Sequence, residues 1–163
     1  TVTSANSMTA TIRTVQDVRC AGGTDGKVVV ALSGGRAPFI YNWTNGASDT
    51  LVTKLPEGEI GVTVTDADKC VSSAKKVLKA QYPLPARPAI TDINGTLRVE
   101  ATAGVQWYMG TPPSSAAVLA DATQPTFTPF TSGSYFVIVS ENGCASPPSA
   151  VFAFVLTAVE PVG

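Results

Sequence analysis

One skeleton of strands and turns occurs twice in this chain, and that repetition limits the fold more than any single motif. The first copy reads GKVVVAL…APFIYNWTNG…LPEGEIGVTVTDADKC, and the second reads GTLRVEA…GVQWYMG…FTSGSYFVIVSENGC. Trp43 corresponds to Trp107, Gly58 to Gly133, Ile60-Val62-Val64 to Tyr135-Val137-Val139, and Cys70 to Cys144. Within each copy the apolar residues alternate with polar ones. Ile60, Val62 and Val64 fall on one face of a strand while Glu59, Thr63 and Thr65 fall on the other. Phe39, Tyr41 and Trp43 share a face by the same period, which places them toward a core. The Asn-Gly pairs at 45–46, 94–95 and 142–143 are residues that tolerate positive φ, as tight hairpin turns require. No stretch has a helical period. The expectation is an all-β chain of two tandem antiparallel β-sandwich modules, immunoglobulin-like in architecture, at residues 1–82 and 83–163.

The boundary is expected in AQYPLPARP, where Pro83, Pro85 and Pro88 fix φ and remove backbone donors, giving an extended, semi-stiff spacer. A module of this size buries only about 60% of the surface its unfolded chain exposes, so a covalent staple would help it. The three cysteines suggest one. Cys20 and Cys70 flank the first module, and a disulfide between them would close a loop worth about 4 kcal/mol in the chain-entropy model. It would also imply an oxidising compartment. Cys144 has no counterpart of Cys20 in its own module and is expected to be a lone thiol, either inert or bonded to a segment outside this sequence.

The composition argues against chemistry. The 163 residues include no histidine, which removes the commonest general base and metal ligand together. There is no Gly-x-Ser-x-Gly elbow and no glycine-rich loop opening a helix. No catalytic residue, no cofactor and no metal site is expected. A weaker alternative is calcium bound by Asp17, Asp25, Asp66 and Asp68 at strand ends, against which Asp25-Gly26 reads as a turn and Asp66 can bond its own downstream amides. Nine Lys/Arg against seven Asp/Glu in residues 1–82, and two against five in residues 83–163, leave a near-balanced chain that is a poor partner for nucleic acid. The most apolar run, from Ala150 to Val159, is about half the length that spans a bilayer. TVTSANSMTATI lacks the basic and apolar regions of a signal peptide, so any signal or anchor is expected outside the sequence.

In the second module Trp107 stands where a strand-C tryptophan packs between sheets. Tyr135 precedes Val137 by two residues, the spacing of a tyrosine corner with valine in place of the usual cysteine and Val99 as its partner across the core. Phe136 and Ile138 should then point outward, with Phe152 and Phe154 on a neighbouring strand. Either a loop buries them or they form an apolar patch for the next module or a partner. Tyr82, Tyr108, Phe136 and Ile138 are accordingly the candidate interaction surface.

Four segments, CAGGTDG (20–26), SGGRAPFIYNWTNG (33–46), LPEG (55–58) and VTVTDADKC (62–70), resemble the SprB-type repeat over about residues 12–79. This is a module of gliding-motility adhesins and other large surface proteins of Bacteroidetes. Where that pattern has a tyrosine, this chain has Ile60, on an inward position. VQWYMG, FTPFTSGSYFVIVSENGCAS and the closing VLTAVEPVG are similar to the immunoglobulin-like domains that precede the sorting signal of proteins exported by type IX secretion. The resemblance implies a non-enzymatic adhesin or stalk segment, secreted or at the outer-membrane surface. Neighbouring modules of the same polypeptide are the expected partners, with surface polysaccharide or a protein as alternatives. Asp49-Thr50-Leu51 is similar to the O-glycosylation motif of that phylum, making Thr50 a candidate attachment site. Asn42 and Asn94 fit the N-glycosylation pattern, but the resemblance argues against that pathway.

Overall fold

The structure is a computed structural model and describes residues 7–157. Among these no helix occurs, and antiparallel sheets dominate. The chain divides into two compact units, Thr1–Pro83 and Leu84–Gly163, each with its own apolar core.

In the first unit, strands β1 (Thr9–Gln16), β3 (Gly26–Ser33) and β5 (Leu51–Leu55) form one antiparallel sheet in the order β1-β3-β5. Strands β4 (Ile40–Trp43), β6 (Gly58–Thr65) and β7 (Val71–Leu78) form a second, in the order β4-β6-β7. A short parallel pair, β2 (Val18–Cys20) with β8 (Ala80–Tyr82), completes the unit. The alternation read from the sequence decides what lies inside. Val28 and Val30 of β3, Ile60, Val62 and Val64 of β6, and Trp43 of β4 are buried in one cluster, with Phe39 and Tyr41 packed against it. The two sheets meet where β1 lies against β7, and the Ala10 N–H donates to Ser72 Oγ at 3.0 Å.

The second unit repeats the plan. Strands β9 (Ile90–Ile93) and β10 (Thr96–Val99) pair with β13 (Thr126–Phe127) in one sheet. The other sheet is built on β11 (Val105–Met109) and the long β14 (Gly133–Glu141), with β12 (Ala117–Val118), β15 (Cys144–Ala145) and β16 (Phe152–Phe154) at its flanks. Val99 and Val137 share the core with Trp107 and Leu97. Apolar packing stands there in place of the inter-sheet disulfide of antibody domains.

The sequence repeat is a repeat of registers. Trp43 lies opposite Val62, the middle residue of its valine run, and Trp107 lies opposite Val137, the middle residue of the matching run. Each indole also finds one backbone acceptor, since Trp43 Nε1 donates to Asp49 O at 2.8 Å and Trp107 Nε1 donates to Gln124 O at 2.9 Å. A buried indole N–H needs such a partner. Each tryptophan thereby fixes the loop that follows its strand.

The turn dipeptides divide. Asn94-Gly95 and Asn142-Gly143 both take positive φ at both residues, as two-residue hairpin turns do. At 45–46 only Gly46 is left-handed, at φ 83°. There the Gly46 N–H donates to Trp43 O, and Asn45 Oδ1 accepts from the Ala47 N–H, giving a wider turn.

Beyond β15 the segment Ser146-Pro147-Pro148-Ser149 has two residues without an N–H, yet it runs beside β14 without breaking the ladder. Val139 N–H donates to Ser146 Oγ at 3.1 Å and Val137 N–H to Ser149 Oγ at 3.0 Å, while the backbone N–H of each serine returns a bond to the same valine's carbonyl. Both serines are buried. Two hydroxyls do the work of two carbonyls where the prolines bow the chain away. The part of VLTAVEPVG after Thr157 lies outside the described residues.

Candidate functional site

The first cluster that could hold chemistry is the β6–β7 turn, because it contains the most buried carboxylate. Asp66 is 3% exposed and accepts three backbone N–H bonds: Cys70 at 2.8 Å, Asp68 at 2.9 Å and Arg36 at 3.2 Å. The Ala67 N–H adds a bond to Arg36 O. This carboxylate therefore shapes its own hairpin and ties it to the loop after β3, leaving little capacity for a ligand. Asp25 is similarly engaged. It accepts from the Arg19 N–H at 3.0 Å and from Gln16 Nε2 at 3.2 Å, and the Arg19 bond above all holds its carboxyl below the usual range. Among the described residues no three His, Cys, Asp or Glu side chains are grouped as a metal site, so the four aspartates considered for calcium are not brought together.

The cysteines correct the expectation. Cys70 is a free thiol, whereas Cys20 and Cys144 are disulfide-bonded. The Cys20–Cys70 staple is therefore not formed, and Cys144 is not a lone thiol. The reason lies in the local strands: Cys20 pairs with Tyr82 in the β2–β8 ladder, while Cys70 is held by Asp66 at the tip of the β6–β7 hairpin.

The expected interaction surface also changes. Phe136 is 1% exposed and stacks on Tyr108, its partner across β11 and β14, with ring centroids 4.9 Å apart and planes 5° off parallel. It cannot meet a partner without rearrangement. Tyr108 and Ile138 are half-buried, and Tyr82 is exposed. Phe152 and Phe154 do not belong with them. Phe152 pairs with Tyr135 in register and Phe154 is buried, so both face the core.

Tyr135 does form the expected corner. Its hydroxyl donates to Thr131 O at 2.8 Å, pinning the loop that leads into β14. Just before that pin, Pro129 is buried and Phe130 is 87% exposed. A phenyl ring left in water forgoes about 1.5–3 kcal/mol of burial, so its position calls for a reason. It borders a groove of about 280 Å³ whose other walls include Phe127, Asp121, Gln124, Thr126 and Thr128. Sequence reading passed over Phe130 because it lies in no alternating run. The available signal was an aromatic residue set among Thr, Pro, Ser and Gly, where a core residue has no place.

Thr50 is exposed in the bend just before β5, and its carbonyl accepts the Val30 N–H at 2.9 Å. The preceding carbonyl is the one held by Trp43. No helix among the described residues is long and apolar enough to cross a membrane.

Two small antiparallel sandwiches in tandem, each centred on one tryptophan, define an immunoglobulin-like module pair. Within the first of them, residues 12–48 match the family model of the SprB repeat. No curated protein matches the sequence. Among solved structures, the chain is similar to the three N-terminal domains of the highly immunogenic outer capsid protein of bacteriophage RB49. The identity is 16%, with 88% of this chain and 58% of that one covered at a TM-score of 0.41. It is also similar to the BSP domain of a biofilm associated protein, at 14% identity, 92% and 30% coverage and a TM-score of 0.30. A third likeness is to SGBP-B of the Bacteroides ovatus mixed-linkage glucan utilization locus, solved with a mixed-linkage heptasaccharide. It has 9% identity, 85% and 46% coverage and a TM-score of 0.32. The chain thus spans less than two thirds of each of these structures, and all three likenesses are distant.

Proposed function

We propose that this chain is a non-catalytic pair of modules from a secreted or cell-surface bacterial protein, spacing or presenting a functional head. The observation that supports this most is how the buried polar groups are used. Asp66, Ser146 and Ser149 all serve backbone amides, so the polar interior is committed to holding the sandwiches together. The SprB repeat agrees with a surface setting. On this reading export is by type IX secretion, residues 1–82 and 83–163 are separate modules, and Thr50 is an attachment site for an O-linked glycan. Protein purified from the native host should then exceed its polypeptide mass by hexose increments lost in Thr50→Ala, and an unmodified mass would remove the glycan.

The decisive test is a module swap in the parent protein. Replacing the pair by two unrelated immunoglobulin-like modules should preserve surface display and the head's activity, whereas simple deletion should impair reach or adhesion. Failure of the swap to restore function would mean that this pair's own surface matters. The second reading, recognition of surface polysaccharide or a protein, is favoured by one observation: the bare ring of Phe130 at the edge of a groove lined by both apolar and polar side chains.

A further inference from the structure

We infer that the groove beside Phe130 binds a single sugar ring of a neutral polysaccharide, which gives the recognition reading its site and rests on that reading. The ring is displayed by construction. Buried Pro129 anchors the chain on one side, and on the other the carbonyl of Thr131 is gripped by the Tyr135 hydroxyl at 2.8 Å, with Thr131 Oγ1 a further 3.0 Å contact. Phe130 therefore projects from a loop fixed at both ends, and little freedom remains to be lost when a ligand arrives.

The facing wall is fixed too. Gln124 O accepts the Trp107 indole N–H, the Trp107 backbone N–H donates to Ala122 O, and the Thr123 N–H donates to Asp121 O. What lines the groove suits a polyol. A pyranose offers one face of polarised C–H bonds, which pack on the negative face of an aromatic ring, and an edge of hydroxyls. Asp121 can accept from two neighbouring hydroxyls, and Gln124, Thr126 and Thr128 supply amide and hydroxyl partners. No Lys or Arg lines the groove and one carboxylate does, so an acidic polysaccharide would be repelled. At about 280 Å³ the groove falls just below the roughly 300–1,000 Å³ of drug-sized pockets, room for one ring of a chain that runs on past it. Ala120, Ala122, Phe127 and Phe130 make an apolar surface and Asp121, Gln124, Thr126 and Thr128 a polar margin, so the groove has the same two-sided character as a pyranose.

The test is native affinity electrophoresis of the full chain through gels containing laminarin, glucomannan, xylan or dextran, with alginate as the acidic control. The expected result is retardation by at least one neutral polymer and none by alginate. Phe130→Ala should weaken it at least tenfold, Phe130→Trp should retain it, and Asp121→Ala should weaken it. Unchanged hydrogen-exchange protection of β14 would show that the variants remain folded. Retardation that survives Phe130→Ala would overturn this site while leaving the recognition reading standing. Passage of the wild type through every neutral gel without delay would overturn both.

Discussion

Replacing Asp66 with alanine should destabilise the first module by about 3 kcal/mol, since hydrogen bonds to a charged acceptor contribute roughly 1.5–3 kcal/mol each and water can reach part of the turn. Three amides lose their acceptor together: Arg36, Asp68 and Cys70. Two lie in the β6–β7 hairpin and the third in the loop after β3, so both segments should loosen. Asn at this position separates geometry from charge. Its carbonyl can stand in for Oδ1, which serves Asp68 and Cys70, but its amide group would then point a donor at the Arg36 N–H, which now meets Oδ2 at 3.2 Å. Asp66→Asn should therefore cost about half as much and concentrate its effect at residues 33–38. Urea titration followed by peptide-level hydrogen exchange reads each module separately. A loss below about 1 kcal/mol for Asp66→Ala would show that solvent already serves these amides.

That carboxylate also shows where the sequence was legible. Asp66 was readable as a residue that bonds its downstream amides, because Asp followed by a short polar stretch is local chemistry. Its third bond, to Arg36, joins segments 30 residues apart, and no local pattern reports it. The strands behave likewise. Ile60, Val62 and Val64 are buried as their alternation requires, and Trp107 and Tyr135 occupy their expected places. Alternation put Phe136 on the outward face and left open whether a loop buries it or a partner does; it is buried, and what covers it is a neighbouring strand. Tyr108, on the adjacent strand, covers one side of Phe136, a pairing set by register that neither segment reveals alone. The cysteine error has the same origin. Spacing gives the candidates for a disulfide, but the bond requires positions in space, and three cysteines already allow three pairings. The Ser-Pro-Pro-Ser segment carries no strand signal, because prolines cannot donate; that two serine hydroxyls continue a sheet ladder becomes visible only with β14 beside them. Phe130 was missed for the opposite reason, since an exposed ring in a loop has no periodic partner to reveal it.

Trp107→Ala should be the most damaging change in the second module, costing about 3–5 kcal/mol, as large-to-small substitutions of buried aromatics do. The indole is fully buried and starts a chain of aromatic contacts through the core. It stacks on Phe127 at 5.7 Å, Phe127 meets Tyr135 at 5.7 Å, and Tyr135 meets the edge of Phe154 at 6.3 Å. Removing it opens a cavity where β10, β11, β13 and β14 converge and leaves Gln124 O without its donor. A small domain holds only about 5–15 kcal/mol in total, so this loss should leave a measurable unfolded fraction at ambient temperature. Trp107→Phe keeps an aromatic face toward Phe127 but not the N–H, and should cost about 2 kcal/mol, part of it from the orphaned carbonyl. Because the two cores are separate clusters, hydrogen exchange in Trp107→Ala should accelerate across β9 to β16 while Val28, Val62 and Val64 stay protected. The Phe130 groove should fail with it, since the wall facing that ring loses both the bond to Gln124 O and the packing beneath it, although the backbone bond to Ala122 O remains. Trp107→Phe should preserve the Ala122 bond, made by the backbone, and lose the Gln124 bond, so polysaccharide retardation in this variant should lie between the wild type and Phe130→Ala. If Trp107→Phe leaves retardation at the wild-type level, the wall is held without the indole and the coupling between core and groove is absent.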